Sequence, residues 1–216
     1  MFDLTLTFDN GPEPDATPVV LDILQRRGLR STFFVIGKKL AEPYRRALCE
    51  RAHAEGHVIG NHTWTHSGAL GRRRAENLAW EEIGRTQEEI RALSDPHRYF
   101  RPQGGGGRLG SHLLSVEAAD FLKRGRYTCV LWNSIPRDWI DPDGWVERAL
   151  AQCAERPWTL MVLHDLPSGA MAHLERFLDR VGELDGRVRQ DLPPDCLPIV
   201  DGVATPELDK YVTSRE

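Results

Sequence analysis

His62 and His66 stand four residues apart in the stretch HTWTH. One helical turn would bring both imidazoles to the same side. Zinc or a similar divalent ion needs such a pair, plus a third protein ligand and an open water position. Exposed or helix-capping histidines are the plainer alternative. Asp9 and Asn10, in LTFDNGP, end a short apolar run. An acid there suits a general base beside a metal-bound water, or it merely caps a turn, for which Asp-Asn-Gly-Pro is good chemistry. Arg101 opens RPQGGGG, and its guanidinium offers a fixed fork of donors able to hold Asp9 ionised and oriented. A surface ion pair is the rival reading. The glycines at 104–107 lack the Lys-Ser/Thr of a phosphate loop. They instead let the backbone approach a substrate closely, with an N–H facing a developing oxyanion. His164, closing TLMVLH, fits a part-buried general acid or a satisfied core histidine. His53, His57, His97, His112 and His173 read as structural.

The elements that must position these groups alternate. Apolar runs rich in β-branched and aromatic residues predict strands over 3–8, 31–36, 57–61, 98–101, 127–133, 159–164 and 197–200. Amphipathic segments separate them. One is opened by Pro18 and closed by Gly28; the others cover 43–55, 75–93, 111–124, 143–155 and 170–184. Such alternation implies a parallel sheet with right-handed crossovers, either closed into a barrel or left open and doubly wound. In both, the strand C-termini lie on one face, where sites are built. Asp9 and Asn10, His62 and His66, Arg101, the segment WNSIPRDW, and His164 with Asp165 all follow strands. Five strand ends therefore supply one rim.

The 216 residues show no linker, low-complexity tract or repeat, so 1–205 is expected to be one domain and 206–216 a polar, loosely held tail. A net charge of −4 offers no broad basic field, so nucleic acid is not an expected partner. No run approaches membrane-spanning length. The four cysteines are scattered without a C-x-x-C pair and read as free, buried thiols. MFDLTLTFDN lacks a basic, then long apolar, leader pattern and reads as a strand, giving a cytoplasmic expectation. Oligomeric state is left open.

Five motifs occur in order: TFDNGP, GNHTWTH, FRPQGG, WNSIPRDW and LMVLHD. With intervening text such as AEGHVIGNHT, the chain from about Leu4 to Asp165 resembles the polysaccharide deacetylases, the NodB-homology or carbohydrate esterase family 4 group. The resemblance implies a distorted (β/α)7 barrel with its active site at the C-terminal strand ends. It also implies metal-assisted hydrolysis of an N-acyl group, usually N-acetyl on an amino sugar. By position, Asp9 is the catalytic base, His62 and His66 are metal ligands, and Arg101 orients Asp9. The Gly104 N–H contributes to the oxyanion hole, Trp139 lines the acetyl pocket with Asp138 beside it on the substrate side, and His164 is the general acid. The expected cofactor is one divalent ion, zinc; the expected partner is a saccharide or small-molecule substrate.

Three departures bear on mechanism. The family's Asp-Asp-Gly-Pro, whose second acid is the third metal ligand, reads Asp-Asn-Gly-Pro here, which assigns Asn10 to that place. An amide oxygen carries no charge, so the site is expected to hold zinc less tightly while leaving it more electrophilic. Arg-Pro-Pro-Tyr-Gly has become Arg101-Pro-Gln-Gly-Gly. In the fourth motif the first acid, which tunes the catalytic histidine, is replaced by Ile135. Asp165 adjoins His164, but strand neighbours point apart. A metal-dependent N-deacylase is the leading reading. A metal-independent hydrolase of a small cyclic amide or ureide, as in allantoinase-type relatives, and a catalytically silent sugar-binding relative are the alternatives.

Overall fold

The computed structural model describes residues 1–214. Strand β1 (Phe2–Asp9) sets the pattern, because side chains along a strand alternate between faces. Leu4, Leu6 and Phe8 pack outward into a cluster with helix residues such as Val20, Leu24, Ala149 and Phe177. Thr5, Thr7 and Asp9 take the opposite face and are buried as well. That inner face meets a smaller cluster of Phe34, Val130, Leu160 and Cys196.

Strands β2 (Thr32–Val35), β3 (Val58–Asn61), β4 (Tyr99–Phe100), β5 (Thr128–Cys129), β6 (Trp158–His164) and β7 (Gly186–Arg189) all pair in parallel. The sheet runs β6-β1-β2-β3-β4-β5, with β7 on β1. β6 occupies one edge of β1 throughout, so β7 (at residues 2–5) and β2 (at residues 7–9) share the other. A parallel bridge from Ser134 to Met161 joins the segment after β5 back to β6. The result is a distorted (β/α)7 barrel. Two short strands, β8 (Ile199–Val200) and β9 (Val203–Ala204), add an antiparallel extension beyond β5.

Helices cover the outside: α1 (Thr17–Arg26), α2 (Pro43–Ala54), α3 (Arg85–Glu89), α4 (Val116–Arg124), α5 (Trp145–Ala154) and α6 (Leu174–Glu183). Proline opens α1 and α2, and the Ser115 side chain caps α4 by accepting from Ala118 N. In α6, Leu174, Phe177, Leu178 and Val181 recur at helical spacing and are all buried. Each such side chain contributes roughly 1.5–3 kcal/mol on removal from water. Among the described residues no helix is long and apolar enough to cross a membrane. All four cysteines are free and buried.

Several expectations are corrected. The strand at 197–200 is antiparallel rather than a barrel strand. The seventh parallel strand is Gly186–Arg189, whose polar GRVR hides it in the sequence. The strand expected over 127–133 keeps only two ladder residues. Its next donors change partner in turn, Val130 N to Phe100 O, Leu131 N to Cys196 O and Asn133 N to Leu160 O, as the chain crosses toward β6. The helix expected over 75–93 is π-helical at Trp80–Gly84 before α3. The tail is not loose up to Ser214: Leu208 is buried, Leu114 N donates to Tyr211 O, and Thr213 N donates to Leu114 O. Residues 215–216 of that expected tail lie outside the described residues.

Candidate active site

The β1–β6 ladder places Asp9 directly beside His164, and parallel partners face the same way. Both point into the rim at the strand C-termini. Arg101 follows β4 and is fully buried. Its Nη1 donates to Asp9 Oδ1 at 2.7 Å and to Thr7 Oγ1 at 2.6 Å, while Nε and Nη2 reach the carbonyls of Val130 and Leu131. The guanidinium also lies over the Phe34 ring at 4.0 Å. Burial alone would raise the Asp9 carboxyl, but the Arg101 guanidinium, the largest opposing influence, holds it below the usual carboxylate range. Asp9 is therefore ionised at neutral pH, as the expected base must be.

His164 is backed by Asp138. The Asp138 carboxylate accepts from His164 N at 2.8 Å and pairs with His164 Nδ1 at 2.9 Å. Burial pushes the imidazole down, yet the Asp138 bond and the nearby acids carry it above its ordinary value. This corrects the placement of Asp138 on the substrate side: it is fully buried behind the histidine. It also answers the loss at Ile135. A left-handed residue, Arg137 at φ 58°, turns the chain so that Ile135 and Trp139 face the cavity while Asp138 reaches under His164. Trp139 meets the His164 ring edge-on at 4.5 Å. Asp165 adds its charge from nearby, but its hydrogen bond goes elsewhere. It is buried against Gly11, accepts from Thr17 Oγ1 at 2.5 Å, and is pushed by burial up to about 7.

The HTWTH stretch is not helical. Thr63 (φ 67°) and His66 (φ 54°) are left-handed, and the stretch is a loop. It still brings the His62 and His66 rings to 4.8 Å. His62 Nδ1 lies 2.8 Å from the Arg101 carbonyl oxygen, so that nitrogen carries the proton and donates. Nε2 is left as a lone pair, 3.6 Å from Asp9 Oδ2. Burial pushes both histidines down, His66 to about 3, so both are neutral and able to ligate. Among the described residues no three His, Cys, Asp or Glu side chains form a metal-holding group; a third donor must be of another type. Asn10 meets that need. It is left-handed (φ 76°), which Asn tolerates, and it lines the same cavity as both histidines. Its Oδ1 is buried without a hydrogen-bond partner. The residues present fit a divalent ion.

The cavity, about 220 Å³, is lined by Asp9, Asn10, His62, His66, His164 and Trp139 together with residues 102–107, Trp132, Ile135 and Val162. Gly104 is pressed against Trp132: a Cβ there would lie 2.5 Å from the indole. Gly105, Gly106 and Gly107 have φ of 56°, 86° and 88°, angles other residues resist. This explains the glycine run. Sequence reasoning missed Trp132, Ile135 and Val162 as lining, the Asp138–His164 pair, and Glu82, which binds the HTWTH loop. Asp138 stands one residue before the motif tryptophan, the only local signal it had.

The chain matches the polysaccharide deacetylase family over residues 3–119. A chitooligosaccharide deacetylase of Rhizobium leguminosarum bv. phaseoli is 35% identical over 167 residues, covering 75% of this chain and 67% of that one. A peptidoglycan-N-acetylglucosamine deacetylase of Bacillus cereus is 34% identical over 142 residues, 64% and 61% of the two chains. Among solved structures, a family 4 acetyl xylan esterase from Clostridium thermocellum in complex with a cobalt ion superposes with a TM-score of 0.69. It is 25% identical and is matched over 87% of each chain. Shared sequence over more than half the chain and a shared barrel leave one conclusion: the chain belongs to the polysaccharide deacetylase family.

Proposed function

We propose that the protein is a metal-dependent hydrolase that removes the N-acetyl group from an amino-sugar saccharide. The observation that carries this reading is the convergence of Asp9, His62, His66, His164 and Trp139 on one cavity. One domain carries the chemistry, since the strand ends supplying it belong to one sheet. His62, His66 and Asn10 hold the ion, with zinc the leading choice. When bound, a divalent ion supplies Lewis-acid polarisation of the amide carbonyl and acidifies water.

The chain's own residues account for the rest. Asp9, held ionised and aimed by Arg101, accepts the proton of the attacking water as the new C–O bond forms. The Gly104 N–H faces the oxygen that gains charge. Trp139 packs the acetyl methyl and excludes solvent. His164, whose protonated form Asp138 favours, donates its proton to the amine as the C–N bond breaks. The products are acetate and a free amino sugar. Asn10 in place of an acid supports a site of lower charge and weaker metal hold.

The test couples metal analysis with an amine-release screen over N-acetylglucosamine oligomers, peptidoglycan fragments and cyclic ureides. Release from an N-acetylated saccharide that chelation abolishes is expected. Chelator-resistant ureide hydrolysis, or saccharide binding with no release after metal loading, would sink the reading.

A further inference from the structure

Glu82 takes no part in the chemistry above, yet it is an acid with 2% of its surface exposed. It sits in the π-helical stretch Trp80–Gly84, a distortion found often at functional sites. Its Oε2 accepts the main-chain N–H groups of Trp64 (3.1 Å) and Thr65 (2.9 Å). Its Oε1 accepts the Thr65 hydroxyl (2.6 Å) and the Arg73 guanidinium (2.5 Å). Burial alone would raise this carboxyl, but Thr65 and Arg73 hold it below the usual range. The acid is thus charged, and its bonds fall on the two residues between the left-handed Thr63 and His66.

The loop is held from other sides too. Gly37 N donates to Thr63 O and Lys38 N to Trp64 O, at 3.0 and 3.1 Å. Asn61 donates to Ile83 O within the π stretch and accepts from Thr63 N. Those bonds fix the start of the loop and its carbonyls. Among the described residues, Glu82 alone gathers the two N–H groups in its middle. Left-handed angles at residues other than glycine persist only where the surroundings over-determine them.

We propose that Glu82 is the positioning residue of the ligand loop: its carboxylate holds the paired left-handed turns that bring the His62 and His66 rings together. This rests on the metal reading above. Glu82 touches neither imidazole, so it acts through backbone geometry, as outer-shell partners of metal ligands do.

The test uses Glu82→Gln and Glu82→Ala, with Glu81→Gln as control, since Glu81 pairs with Arg85 at the surface. Metal-free chains are followed by amide hydrogen exchange, and Co²⁺ alone is then titrated with its visible absorption recorded. At Trp64 and Thr65, exchange in both Glu82 variants is expected to quicken about tenfold. Co²⁺ affinity is expected to fall about 10–100-fold, with a changed band shape, while the control follows the native chain. Native exchange at these amides in Glu82→Ala would overturn the proposal, as would native Co²⁺ affinity. A native chain that takes up no Co²⁺ would sink the metal reading instead; the exchange experiment then decides whether Glu82 holds the loop. Should Glu82→Ala fail to fold, the near-isosteric Glu82→Gln carries both measurements.

Discussion

Asp9 and His164 end ladder strands and Arg101 follows one directly, whereas Asn10, His62 and His66 lie on turns of which three residues, Asn10, Thr63 and His66, are left-handed. The strand-borne half is tied by side chains inside the barrel: Arg101 to Asp9 and Thr7, Asp138 to His164. The loop-borne half is tied through its backbone. Lys39 Nζ donates to Asn10 O at 2.6 Å, and Glu82 accepts from Trp64 and Thr65. The proposed proton-transfer groups are therefore part of the core, and damage to them reaches stability. The proposed ligand groups sit on a scaffold that can change without disturbing the barrel.

The largest expected effect lies in the strand half. Asp9→Asn or His164→Ala should lower kcat by about 10²–10⁴-fold while circular dichroism stays native; near-native turnover would break the division of labour. Arg101→Met leaves Asp9 buried and unpaired. It should cost about 3–5 kcal/mol in denaturant unfolding. By contrast His66→Ala, on the loop, should cost roughly 0.5 kcal/mol or less yet reduce metal uptake. Equal stability losses in these two would erase the contrast.

Asp138→Asn tests the strand half through pH. His164 is raised by Asp138 against a burial effect that lowers it, so its proton persists to higher pH than in a free imidazole. Removing the carboxylate leaves burial to dominate. The alkaline limb of kcat/KM, where His164 loses its proton, should move to lower pH by about one unit, worth about 1.4 kcal/mol. An unmoved limb would remove His164 as the acid. An effect of similar size is expected in the loop half. Asn10→Asp keeps a residue that tolerates left-handed angles and adds charge, so Co²⁺ or Zn²⁺ binding should tighten on the order of tenfold, about 1.4 kcal/mol. Unchanged affinity would make Asn10 only a turn residue.

Much of this was legible before any coordinates. Alternating TLTF and the run TLMVLH marked β1 and β6 as strands of a parallel sheet, and with them the shared rim of Asp9 and His164. The HTWTH spacing pointed to two histidines that the structure does bring together, but not by the helical turn expected: the stretch is a loop, and the rings meet through its geometry. GRVR carried no apolar signal because β7 is only half-buried at the barrel's edge. Asp138 was visible as a residue but not as the partner of His164, since the pairing depends on the turn at Arg137.

By itself, then, the sequence determined the parallel strand-helix alternation and the strands that end at the rim, while the choice of a barrel over an open sheet rested on the resemblance of its ordered motifs to the family. Period-2 and period-3.6 patterns are local, and each strand end follows from its own few neighbours. Tertiary structure alone decided that Asp138 stands behind His164, that Asn10 leaves a buried amide oxygen unpaired, and that Glu82 closes the loop of His62 and His66. Those outcomes rest on left-handed turns and on hydrogen bonds between residues 17 or more positions apart, which no local pattern encodes.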